Sequence, residues 1–243
     1  MARFKTINDI VNQVALETGI PKQADIFASN DPATAQLIAL SNACGYELLQ
    51  DEAWEGLVRV QEFTTQSGDD GKYDLPPDFA YIINQTAWDR TNNVPLGGPL
   101  SAQEWEALQG RDLVSSTIYA TFREVENQFW IYPQPPVVGI DIAYEYISRN
   151  WVSTNSGPVY SDSLENSADL VLYEPHMFER LLKLRFLEAR GFDTSMAATQ
   201  YDKSFSSWAG KDKGAPVLNA GRRHSGVPYL DGLYNTPDSG FGN

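Results

Sequence analysis

The stretch Leu170–Gly191, LVLYEPHMFERLLKLRFLEARG, constrains this chain most, because it reads as one long helix with its own start and stop. Pro175 lies near the start, where a missing N–H costs nothing and the fixed φ already suits a helix. Arg185 and Arg190 lie towards the end, where cations complement the helix dipole. Gly191 follows as the expected left-handed C-cap. Phe178, Leu181, Leu182, Arg185 and Glu188 have the spacing of a helix buried on one side and charged on another, and Leu184 and Leu187 widen the apolar stripe. No reactive group on it is poised for chemistry, so it reads as a scaffold.

Two helices precede it at the start of the chain. Thr6-Ile7-Asn8-Asp9 has a capping-box-like pattern, followed by Ile10, Val11 and Val14 at helical spacing and by Gly19 and Pro21 as terminators. Asp31-Pro32 opens a second helix, running to about Ala53, with Leu37, Leu40, Cys44 and Leu48 on one face. The period then changes from 3.6 to 2. Leu57–Gln66 reads as a strand and Ser67–Gly71 as a turn. Tyr73–Phe79 carries two prolines and cannot be a central strand. Ala80–Asp89 resumes as a strand, and Thr91-Asn92-Asn93 turns it into Val94-Pro95-Leu96. Ser101-Ala102-Gln103-Glu104 is a capping box for a short helix with Trp105 and Leu108 inward. Thr117–Arg123 and Phe129–Tyr132 form the arms of a hairpin around Glu124–Gln128. Ile140, Ile142, Tyr144 and Tyr146 alternate along one strand face. Residues 150–168 read as a loop. After the central helix, Asp193–Ala209 is a last helix with Met196, Ala197, Tyr201, Phe205 and Trp208 on its apolar side.

The predicted fold class is α+β: a helical bundle from the N- and C-terminal helices with an inserted antiparallel β domain. Residues 1–57 and 165–210 form the helical part and 58–164 the insertion. Residues 211–243 differ from both, with glycines and prolines too frequent for packed secondary structure. Val217, Leu218, Val227, Tyr229, Leu230, Leu233, Tyr234 and Phe241 are interspersed through it, and Lys211, Lys213, Arg222 and Arg223 make it locally basic. An extended segment with apolar anchors and no core of its own docks on something else.

Composition narrows the function. The formal net charge is −14, against a protein that grips phosphates through Lys and Arg. Cys44 is the single cysteine, which excludes an internal disulfide and reads as a small buried hydrophobe. No apolar run reaches the ~20 residues of a membrane span, and the N-terminus has no apolar h-region. A chain made in a reducing cytoplasm, without a membrane anchor, is expected. His176 and Glu179, three apart, fall short of the three or four ligands zinc needs, so no metal, cofactor or catalytic residue is assigned. Asn84-Gln85-Thr86 fits the N-glycosylation pattern but lacks a secretory context. The strongest enzymatic reading is a glycosidase, with Glu124 and Glu126 as acid and base and Trp130 and Trp88 stacking on sugar. Solvated hairpin charges and core aromatics explain the same residues more simply.

The order of these features resembles a known family. A short capped helix leads to a long helix ending in Trp54. The β region opens with Tyr73-x-Leu75-Pro76-x-Asp78-Phe79 and includes Ala87-Trp88-Asp89. Tyr173-Glu174-Pro175, then Leu184-x-Phe186-Leu187-x-Ala189-x-Gly191, lead to the final amphipathic helix. Over roughly residues 5–210 the chain is similar to head-to-tail adaptor proteins of short-tailed bacteriophages, of the tail tubular protein A type. The resemblance implies a structural virion protein without enzymatic activity, found in the tail or neck of the particle and in the host cytoplasm during assembly. It implies a dodecameric ring below the portal protein that extends the DNA channel, through which DNA passes without specific binding. A tail nozzle or tail tube protein is implied below it, with tail fibres as further partners. The arm would dock on the portal through Arg222, Arg223, Tyr229, Leu230, Leu233 and Tyr234. The alternative is a glycan-binding or polysaccharide-degrading tail protein, and a channel stopper is a third option.

Overall fold

The computed structural model describes residues 4–110, 121–154 and 159–212. Thr6 opens α1 (Ile7–Glu17), its hydroxyl accepting from the Asp9 N–H at 3.2 Å. Asp31 opens α2 (Pro32–Asp51), its carboxylate accepting from the N–H groups of Ala33 and Thr34. Each cap satisfies donors that the first helical turn leaves unpaired. A short 3-10 turn over Glu55–Leu57 leads into β1 (Val58–Thr64). There follow β2 (Lys72–Asp74), β3 (Phe79–Ile82), β4 (Trp88–Asp89), β5 (Val94–Pro95) and α3 (Ala102–Gly110). Then come β6 (Thr121–Val125), β7 (Gln128–Tyr132), β8 (Asp141–Ser148), β9 (Val152–Ser153), β10 (Tyr160–Ser161) and β11 (Leu170–Val171). The chain reaches α4 (Pro175–Arg190) and α5 (Ser195–Asp212) last.

The fold is α+β, with five α-helices and antiparallel sheets among the described residues. β8 is the centre of a five-stranded sheet ordered β1-β8-β4-β5, with β3 also paired to β8. β6, β7 and β2 form a second sheet in which β2 is an edge, as its neighbouring prolines require. The Ser101 box opens α3, with Glu104 accepting from both the N–H and the hydroxyl of Ser101 at 2.8 Å. Trp105 is buried as expected.

Two buried clusters organise these elements. In the first, α4 packs against α1, α2 and α5, and Phe178, Leu181 and Leu182 are fully buried. In the second, Phe122 stacks on Phe129 (4.6 Å between centroids, 11° between planes) and Phe129 on Tyr144 (4.8 Å, 3°), joining the two larger sheets. Ile142, Tyr144 and Tyr146 of β8 face this second cluster, as their alternation predicts. The opposite face of β8 is also covered: Ala143 is buried and Ile147 belongs to the helical cluster.

Several boundaries differ from the sequence reading. The central helix starts at Pro175, not Leu170, because Glu174 precedes a proline and is held extended, where its side chain caps the Met177 N–H. Leu170–Val171 is instead a strand on β9. The segment 150–168, read as a loop, carries β9 and β10 of that three-stranded sheet. The strand expected over 80–89 is split into β3 and β4 by a turn in which Gln85 has φ +65° and the Thr86 hydroxyl donates to the Ile83 carbonyl at 2.6 Å. The hairpin turn is tighter than expected, with Glu126 and Asn127 as its two central residues, both at positive φ. The expected start of that hairpin, 117–120, lies outside the described residues. α5 runs on to Asp212, and Met196 points to solvent instead of joining the apolar side.

Candidate interaction surfaces

α4 is held in place by ion pairs as well as by its buried face. The Arg185 guanidinium donates to Glu47 of α2 through two nitrogens and to Glu188 at 2.6 Å. The Glu47 hydrogen bonds hold Arg185 well above its ordinary pKa. Lys183 pairs with Glu17 of α1 at 2.9 Å, and this hydrogen bond holds the Glu17 carboxyl below the usual range. Lys5 reaches Glu179 at 2.8 Å. Cys44 lies fully buried under these pairs, and burial pushes its thiol up to about 12. A thiol in that state is unreactive packing.

On this frame, large apolar side chains stand in solvent at two turns. Phe192 is 62% exposed and Met196 70% exposed at the corner between α4 and α5. Val137 and Val138 are about as exposed in the connection from β7 to β8. That connection is not loose. The Thr65 hydroxyl donates to the Val137 carbonyl at 2.7 Å and accepts from the Ile140 N–H at 2.9 Å. Clusters of this kind on a rigid support suit protein partners. Sequence reasoning placed Met196 on a buried face and gave the valines no role. The run Pro135-Pro136-Val137-Val138-Gly139, apolar yet unable to form a strand, was the available signal.

Two concave features accompany them. A cavity of about 100 Å³ lies where α5 ends, among Trp54, Leu172, Tyr173, Pro175 and Trp208, with Glu174 and Asp212 also lining it. A shallower polar groove of about 460 Å³ crosses β1 and β8 beside Glu62, Asp141 and Arg90. Neither contains the glycosidase candidates. Glu124 is on β6 opposite Phe129, and burial holds its carboxyl above the ordinary range. Glu126 is in the exposed turn. Trp130 is committed to packing: its ring lies 6.2 Å from Trp105 and carries the Lys72 ammonium at 4.5 Å. Trp88 is half-buried on β4 opposite Ala143. His176 lies 3.4 Å from Glu179, and among the described residues no group of three His, Cys, Asp or Glu could hold a metal ion. No described helix is long and apolar enough to cross a membrane. The arm residues Arg222, Arg223, Tyr229, Leu230, Leu233 and Tyr234 lie outside the described residues.

A fold with interaction surfaces supported by a packed frame agrees with what comparison finds. The model of the SU10 adaptor protein family matches residues 5–221. The chain belongs to the SU10 adaptor protein family. It is therefore a bacteriophage structural adaptor, and the match spans every helix and sheet described above. Comparison with curated proteins finds no significant match.

Proposed function

We propose that this SU10-family adaptor is of the tail tubular protein A type and works as a ring of identical subunits, dodecameric, beneath the portal of the virion. It would extend the DNA channel and carry a nozzle or tail tube protein below, with tail fibres attached at its side. Its helical part (1–57 and 165–210) would form the ring and its β-rich part (58–164) the outer or lower surface. The C-terminal arm would reach the portal, with Arg222 and Arg223 meeting acidic groups and Tyr229, Leu230, Leu233 and Tyr234 filling pockets. The excess of acids over bases suits a wall that DNA must pass without adhering.

The observation that carries the ring reading is the exposed Phe192–Met196 corner on a helix pair otherwise locked by buried contacts. A heterologous ring contact needs such a protrusion on one subunit and a recess on the next. The test is incorporation of the double variant F192D/M196D into particles, followed by electron cryomicroscopy. Loss of the adaptor from the neck, with the isolated subunit still folded, supports the reading. Incorporation at the wild-type level refutes this contact.

A further inference from the structure

We propose that the cavity at the end of α5 is the seat of the chain's own C-terminal segment, and that the Val217–Leu218 pair supplies the one side chain it takes in the free subunit. This goes beyond the portal-docking reading and does not rest on it. The cavity is walled by Trp54, Leu172, Tyr173, Pro175 and Trp208, so its interior favours an aliphatic occupant. Its volume of about 100 Å³ is on the order of a branched aliphatic side chain.

The geometry brings the segment to the cavity mouth. Asp212, the last residue of α5, both lines the cavity and accepts a hydrogen bond from the Glu55 N–H at 2.7 Å. The chain beyond it therefore starts at the rim. Gly214-Ala215-Pro216 is turn-forming sequence, and Val217 follows within reach of a reversal back over the opening. Charge points the same way. Glu174 and Asp212 line the cavity, with the Lys211 ammonium 4.7 Å from the Trp208 ring beside them, and α2 ends nearby with no basic residue in its last turn. The segment that follows supplies Lys213, Arg222 and Arg223. Opposite charges around an apolar seat fix register and orientation. An arm parked in this way is kept from non-specific contacts until a partner competes for it, and docking then exchanges one set of apolar contacts for another.

The experiment is hydrogen exchange by mass spectrometry on the full chain, comparing wild type with V217D/L218D. Burying an aspartate from either position in an apolar cavity is prohibitive, so the variant leaves the seat empty. The expected result is exchange about tenfold faster in the variant at residues 54–57 and 215–219. Peptides over Leu181 and Leu182 should be unchanged, which reports an intact core. Equal exchange in the two proteins overturns the proposal. So does protection in the wild type that rises with protein concentration, because the occupant is then a second copy. Neither outcome depends on portal binding, so failure here leaves the ring reading to its own test.

Discussion

Replacing Gly45 by alanine sets two effects of opposite sign against each other. Gly45 is in the interior of α2, where alanine is the better helix former by about 1 kcal/mol. If only local propensity mattered, the substitution would stabilise the protein. The added Cβ, however, would lie 2.7 Å from Cδ2 of Trp151 and closer still to Cε2 and Cζ2. That indole cannot step aside. Trp151 is fully buried and stacks on Tyr173 and Phe178, each at 6.0 Å between centroids, while the Tyr173 hydroxyl donates to the Gly45 carbonyl at 2.9 Å. Overpacking a site without slack costs about 3 kcal/mol or more. The net expectation is a loss of about 2 kcal/mol, or a fall in Tm of roughly 4–8 °C for a chain of this size. Urea denaturation of wild type, G45A, W151F and the double variant measures both the loss and its cause. The smaller ring at 151 should recover part of the penalty, with a coupling of about 1 kcal/mol or more. A G45A protein as stable as wild type, or a cycle with no coupling, would refute the argument that the two residues are packed to contact.

Arg185→Met removes the two-nitrogen contact to Glu47 and should cost about 1–2 kcal/mol, because the pair is only partly buried; Arg185→Lys should recover less than half, and thermal melts at low and high salt would show it. Thr65→Val leaves the Ile140 N–H without its side-chain acceptor and should cost about 1–3 kcal/mol, with faster exchange confined to 137–140. The Glu124 carboxyl is held above its ordinary range by burial, so the folded state binds this proton more tightly than the unfolded state. The associated stability is present below the unfolded glutamate pKa and lost as pH rises through the folded value. Glu124→Gln should flatten that decline and raise stability at neutral pH, whereas an unchanged pH profile of urea midpoints would contradict it.

Much of the helical frame was legible because its signals are local. Thr6, Asp31 and Ser101 are caps that need only their own turn, and Pro175 and Gly191 mark the ends of α4 within sixteen residues of each other. The alternation of Ile142, Tyr144 and Tyr146 is likewise a local pattern. What escaped depends on distant partners. β9, β10 and β11 are two residues long, too short to show a period, and exist because Ser153 and Val152 meet Leu170 and Val171 on one side and Tyr160 and Ser161 on the other. The cavity beside Trp208 is assembled from the chain near residues 4, 54, 172 and 208, and no window of sequence contains two of those segments. Met196 has the spacing of a buried residue, yet α5 buries the side that meets α4 and Trp54, and Met196 falls outside it.

The manner in which the two buried clusters are joined bears on how an adaptor can carry load. β1 leaves the helical cluster directly after Trp54 and Leu57, and β8 returns to it just before Trp151. These two strands are paired with each other from Val58 opposite Ile147 to Thr64 opposite Asp141. The connection is thus an antiparallel ribbon, hydrogen-bonded along its length, and not a pair of independent linkers. Ile147 and Trp151 anchor one end of it in the helical core, and Tyr144, stacked on Phe129, anchors the other. Relative rotation of the two parts would have to break ladder bonds or unstack those rings, whereas a single-strand linker would only need to change a few backbone angles. The Val137–Val138 turn feeds straight into β8, and Thr65 ties it to the end of β1. A partner pulling on those valines therefore loads the ribbon along both strands, which is the direction in which paired strands resist most.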